Sequence, residues 1–72
     1  MVNLMDAEIG TEYVIREIMT EDEEMDAFLF SLGCYSGEPI TVISRHDRGC
    51  FIRTRDGERK FLSSLLLPFI YI

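Results

Sequence analysis

The stretch FLFSLGCYSGEPITV, residues 28–42, changes its structural period within a few residues, and that change constrains the fold more than any other feature. Met25, Phe28, Leu29 and Leu32 fall at i, i+3, i+4 and i+7, the spacing of one apolar helical face. Gly33 then ends the helix in a left-handed conformation. Ser36–Gly37 supplies a turn, and Pro39 opens a strand at the one position where a missing N–H is tolerated. Beyond it Ile40 and Val42 share one face, with Thr41 and Ile43 on the other. Phe30 lies off the helical face, and Tyr35 falls in the joint itself, which explains neither.

The flanks are read the same way. Residues 11–19, TEYVIREIM, are rich in β-formers, with Tyr13 and Ile15 on one face. Ile18 breaks the alternation, and a β-bulge near Arg16–Glu17 would return it inward. Thr20 with Glu23 fits a capping box ahead of the helix. Residues 46–49 (HDRG) read as a loop and 50–55 as a strand. Asp56–Gly57 reads as a type I′ hairpin turn leading into ERKFL. SSLLL is a helical turn capped by Ser63 or Ser64, and PFIYI is a closing strand with Pro68 at its start. A lead-in, MDAEIG, ends at Gly10. The expected fold is mainly β: a small five-stranded, partly closed barrel. One helix is inserted after the first strand, and a short helical turn precedes the last.

The chain has 72 residues, which predicts one domain with a core too small to be stable without closure, a partner or a staple. Its net charge of −6 argues against general nucleic-acid binding. The charge is also segregated. Residues 1–26 hold nine acids and one base, Arg16, while residues 45–60 hold six bases and three acids. Such a dipolar surface either orients a partner or is simply a set of solvated faces. No basic segment precedes an apolar run at the start, so a signal peptide is not expected. The run LLLPFIYI is far too short to span a bilayer, so no direct membrane insertion is expected, and the location expected is the cytoplasm with reduced thiols.

The chemistry-bearing residues are sparse. No nucleophile elbow, no paired carboxylates and no phosphate-cradling glycine loop are present, so the chain reads as no enzyme and needs no cofactor. Cys34, His46 and Cys50 are the only soft metal-ligand candidates, and none has motif spacing. Both cysteines read as small buried hydrophobes and His46 as a solvated loop residue. Arg53 and Arg55, alternating onto one strand face near Phe51, could grip phosphates, but the plainer reading is an outward face in an acidic protein. Phe30, Tyr35, Leu65, Leu66 and Phe69 exceed what a small barrel needs inside. With Phe28 they are the candidate partner-binding surface, unless they close the barrel ends.

Several of these residues, taken in order, resemble a known family. They are Gly10, the L-x-x-L-G helix end from Leu29 to Gly33, Gly37 four residues later, the strand ITVI at 40–43, a glycine-turned hairpin into Phe61–Leu62, and an I-x-I pair at 70–72. This pattern resembles FeoA, the small cytoplasmic protein of bacterial ferrous iron uptake, over almost the whole chain. The resemblance implies an SH3-like barrel over residues 1–72. It also implies a non-catalytic partner of FeoB, a transporter with a cytoplasmic GTPase domain, with weak self-association a further option. The chain departs from the pattern at four places. It has Ser36–Gly37 for a Pro-Gly turn, Phe28 for a basic residue and Lys60 for an aliphatic one. Leu65–Phe69 replaces a polar turn. Two other functions stay open at this point: a direct Fe(II) or zinc carrier using Cys34, His46 and Cys50, and a regulatory or nucleic-acid-binding SH3-like module.

Overall fold

A computed structural model describes residues 2–72. The strands are β1 (Glu12–Val14), β2 (Glu17–Ile18), β3 (Pro39–His46), β4 (Gly49–Arg53), β5 (Arg59–Ser63) and β6 (Ile70–Tyr71), with one helix, α1 (Glu23–Ser31), between β2 and β3. Short 3-10 turns occupy Leu4–Asp6 and Leu67–Phe69. The protein is therefore mainly β with one helix, as the periodicities predict. The pairing differs from a single five-stranded barrel. Four strands form an antiparallel sheet in the order β1-β3-β4-β5, and β2 pairs with β6 in a second, two-stranded sheet.

The difference originates at Ile15–Arg16. The expected single first strand, with a bulge at Arg16–Glu17, is instead two short strands that pair in opposite directions across the chain. Ile15 N–H donates to the Glu38 carbonyl beside β3, whereas Arg16 N–H donates to the Tyr71 carbonyl of β6. One segment thus serves two sheets, and this switch brings Ile15 and Ile18 to a common interior. A bulge does occur, but in β3, where the register with β4 shifts between Val42 and Ser44.

The core is built from alternate strand residues. Ile40 and Val42 of β3, Cys50 and Ile52 of β4, and Leu62 of β5 are fully buried, together with Ile15, Leu29 and Ile70. Leu4 and Ala7 join them. The lead-in is thus a packed 3-10 turn capped by Asn3, whose side chain accepts from Met5 N–H at 2.9 Å. Arg45 holds this turn down by donating to the carbonyls of Leu4 (3.0 Å) and Ala7 (2.7 Å).

Several local expectations are corrected. The helix cap is Asp22 rather than Thr20. Asp22 Oδ1 accepts from the backbone N–H groups of Glu24 and Met25, the usual service of an aspartate N-cap. His46 ends β3 and is not in the loop. The β4 strand stops at Arg53, so Arg55 lies beyond it and does not share a strand face with Arg53. The β4–β5 connection runs from Thr54 to Glu58. A type I′ turn needs positive φ at both central residues. Here no residue other than glycine has it, and Gly57 alone is left-handed, with φ 80°. Asp56 instead uses its carboxylate to accept from Thr54 Oγ1 (3.0 Å) and Glu58 N–H (2.9 Å). Ser63 does cap the turn that follows it, its Oγ accepting from Leu65 N–H (3.3 Å), while the 3-10 turn after that has Leu66 at its cap position and no side-chain cap. Pro68 lies within that turn and does not open β6.

Gly49 sets how closely β4 and β5 approach. A Cβ there would overlap the Leu62 carbonyl oxygen and lie 2.8 Å from Phe61 Cζ. Lys60 explains why this chain can depart from an aliphatic residue in β5. Its ammonium donates to the Leu32 carbonyl at the end of α1 (2.9 Å), to Thr54 Oγ1 (2.6 Å) and to Asp56 Oδ2 (2.7 Å). All three donors are used, so the helix end, the β4–β5 loop and β5 meet on one side chain.

Candidate binding surface

Helix α1 presents two kinds of face. Leu29 is fully buried, and Met25 and Leu32 lean on the core. Phe28, expected on the same face, is 51% exposed, and Phe30 is 63% exposed. Nine residues are only about two and a half turns. So short a helix can bury a stripe only about as wide as Leu29 and its two flankers. Gly33 follows with φ 86°, and the reversal is tied by Gly33 N–H to the Phe30 carbonyl (3.0 Å) and Cys34 N–H to the Leu29 carbonyl (2.9 Å).

That reversal makes the site. Cys34 turns inward, and Tyr35 turns back so that its ring stacks on Phe30, with centroids 4.7 Å apart and planes inclined by 30°. The two residues the joint left unexplained are thus each other's neighbours. Beside them lies a slot of about 320 Å³ lined by Glu17, Ile18, Asp26, Phe30, Cys34, Tyr35 and Ser36. Its position is fixed from both sides. Ser36 Oγ donates to the Arg16 carbonyl (2.8 Å), and Gly37 N–H donates to the Ile15 carbonyl (2.8 Å). Thr20 Oγ1 donates to Asp26 Oδ1, orienting one rim carboxylate.

The C-terminal residues divide. Leu65 is 78% exposed, Phe69 is half-buried, and Leu66 is only 8% exposed. Leu66 therefore belongs to the core and leaves the candidate surface. Of the three consecutive leucines only Leu65 faces solvent, and Leu66 and Leu67 both turn inward as the chain enters its 3-10 turn. The slot beside Phe30 is lined without Phe28, Leu65, Leu66 or Phe69.

Cys34, His46 and Cys50 are placed by different demands. Both cysteines are buried and free. Burial pushes the Cys34 thiol up to about 11, against a lowering by Lys60, and burial likewise raises Cys50 against a lowering by Arg45. Both are protonated thiols at neutral pH, unlike a ligand or nucleophile, which must be a thiolate. His46 Nε2 lies 2.9 Å from Ser44 Oγ, and its ring meets Phe51 edge-on at 5.5 Å. Among the described residues no group of three His, Cys, Asp or Glu side chains comes together as a metal site. Arg55, beyond the end of β4 and with its side chain largely exposed, pairs with Glu38 (3.0 and 3.3 Å).

A second aromatic cluster escaped the sequence reading. Phe51 and Phe61 face each other across β4 and β5, with centroids 5.4 Å apart, and Arg59 covers the Phe51 ring at 4.5 Å. The signal was present: both phenylalanines sit at outward positions once the register across the β4–β5 loop is counted from Cys50↔Leu62. Among the described residues no helix is long and apolar enough to cross a membrane.

One known structure and one family of sequences bear on these features. The crystal structure of an iron uptake regulatory protein (FeoA) superposes with a TM-score of 0.84 at 23% identity, covering 96% of this chain and 91% of that one, a likeness of fold. No curated protein matches the chain. The FeoA domain matches residues 2–64, which takes in every strand but β6, the helix, and the Phe30–Tyr35 slot. With most of its length inside that match, this chain belongs to the FeoA family, which is associated with ferrous iron uptake.

Proposed function

We propose that the chain acts as a single FeoA-like, SH3-like domain over residues 1–72. In this reading it is a non-catalytic cytoplasmic accessory protein that docks on a FeoB-like ferrous iron transporter and modulates it. The observation that carries the reading is the exposed, stacked Phe30–Tyr35 pair above a slot. Two large aromatic groups held against each other in solvent, on a domain this small, bear the character of an interface anchor. Phe28 on the same helix, with Leu65 and Phe69 elsewhere on the surface, would enlarge the contact. The acidic N-terminal and basic C-terminal halves would set the orientation of encounter.

The test is capture of the transporter's soluble GTPase domain. Phe30→Asp and Tyr35→Asp are each expected to abolish capture while circular dichroism stays as in the parent protein. Undiminished capture by both variants would refute this placement. The metal-carrier alternative would need His46 brought to two buried cysteines, and among the described residues no group of three ligand-type side chains comes together. The nucleic-acid alternative loses the Arg53–Arg55 pair on which it leaned.

A further inference from the structure

The slot between α1 and β2 carries a charge pattern that docking by aromatic contact alone does not use. Its walls are Ile18, Phe30 and Tyr35, and its floor is the protonated thiol of Cys34. Its rim holds two carboxylates, Glu17 and Asp26, and its lining contains no basic residue. Asp26 Oδ1 receives the Thr20 hydroxyl. Among the described residues neither rim carboxylate takes part in an ion pair. Arg16, next to Glu17 in the chain, makes no ion pair either, and two other cations are engaged elsewhere. Arg55 holds Glu38, and Lys60 holds the end of the helix.

An occupant must satisfy both features together. A purely apolar group would cover Phe30 and Tyr35 but strip water from two unpaired carboxylates. An acidic group would be repelled by them and by the acids of residues 21–24 at the start of the helix. A bare metal ion would leave the aromatic faces unused and lacks a third ligand. A guanidinium meets every requirement: its plane stacks on an aromatic face and its edge donates to carboxylates in parallel pairs. A lysine ammonium would use the carboxylates but not the planar wall.

We infer that the slot receives an arginine side chain from a partner polypeptide, stacked on the Phe30–Tyr35 pair with Asp26 and Glu17 at its edge. This deepens the docking reading above and rests on it for the identity of the partner, but its chemistry can be probed without one. The probe is N-acetyl-arginine amide, titrated against the full chain by NMR, with the neutral isostere N-acetyl-citrulline amide as control. Saturable shifts are expected at Ile18, Phe30 and Tyr35, with citrulline weaker by roughly tenfold. Asp26→Asn combined with Glu17→Gln should weaken arginine by a similar factor. Glu17→Gln alone, at an exposed position away from the Thr20 contact, gives a smaller loss that cannot come from unfolding. Equal binding of citrulline, or arginine shifts confined to other surfaces, would overturn the inference. Capture of the transporter GTPase domain separates the two readings. If Phe30→Asp abolishes capture and the double charge variant does not, docking stands and the arginine anchor falls. If neither variant changes capture while arginine still binds the slot, the chemistry of the slot stands and the placement of docking at Phe30–Tyr35 falls.

Discussion

Replacing Lys60 with Met tests how this domain holds its helix to its sheet. Methionine keeps the length and bulk of the stem and removes the ammonium, and family resemblance alone, which expects an aliphatic residue there, predicts a neutral change. The structure predicts otherwise. The side chain is only 17% exposed and makes three bonds, two of them to groups that have little alternative. The Leu32 carbonyl is at the negative end of α1, where a cation is favoured, and Thr54 is buried. Hydrogen bonds from a charged donor are each worth about 1.5–3 kcal/mol, and water can replace part of one, so a net loss of about 2–3 kcal/mol is expected at pH 7. With a urea m-value of about 1 kcal/mol/M for a domain this small, the midpoint should fall by about 2 M.

The same substitution has a pH signature. The hydrogen bond from Lys60, helped by the backbone N–H of Glu58, lowers the Asp56 carboxyl from 3.8 to about 2. A carboxyl lowered in the folded state stabilises above its unfolded value, and that contribution is lost as pH falls from about 4 through 2. The gap between parent and variant should therefore narrow on acidification across that window. Urea titrations at pH 7, 4 and 2.5 provide the check. A variant midpoint within about 0.3 M of the parent at pH 7, or a gap unchanged down to pH 2.5, would refute this account of Lys60.

Two further outcomes follow from buried positions. Gly49→Ala should cost at least about 3 kcal/mol, at the upper end of overpacking, because the new methyl meets backbone at Leu62, which cannot swing aside. Hydrogen exchange should show the loss concentrated at the Gly49–Ser63 end of the β4–β5 ladder, and a urea-derived cost under about 1 kcal/mol would count against it. Cys34 should react with a thiol reagent at pH 8 about 100-fold more slowly in the folded protein than in urea, since its thiolate fraction alone falls by that factor between 9.0 and about 11. Because a raised thiol stabilises the fold only while it stays protonated, stability should also decline as pH rises from 9.0 to about 11, and a flat profile there would argue against burial of Cys34 as a thiol.

Local signals in this chain were legible, and pairings between distant segments were not. Gly33, Pro39 and the alternation of Ile40 and Val42 speak through backbone conformation and period, and the helix stop and β3 lie where they indicate. The sheet switch at Ile15–Arg16 depends on Tyr71, more than fifty positions away, so the broken alternation of Ile18 could be seen but not its cause. Arg45 and Lys60 look like surface residues by type. They fold inward because backbone carbonyls of Leu4, Ala7 and Leu32 need donors, a demand visible only in three dimensions. The candidate surface was legible in Phe30 and Tyr35, left over once the helix and strand faces were assigned. Leu66 was misplaced because the turn after Ser63 sends Leu65 outward and both Leu66 and Leu67 inward, a division that a run of three leucines does not show. Asp26 and Glu17 were read only as two of the nine acids in residues 1–26, and it is the fold that sets them at one slot.

The way the slot is tethered bears on its thermodynamics. Two of its sides meet at the same two residues: β2 continues from Arg16, while the Tyr35–Gly37 turn is fastened to the carbonyls of Ile15 and Arg16. These bonds hold the Tyr35–Gly37 turn against β2, so an entering side chain finds that side of the slot already in place. Ordering losses on association then fall mainly on the ligand, and the slot favours a short, stiff recognition segment over a long mobile one.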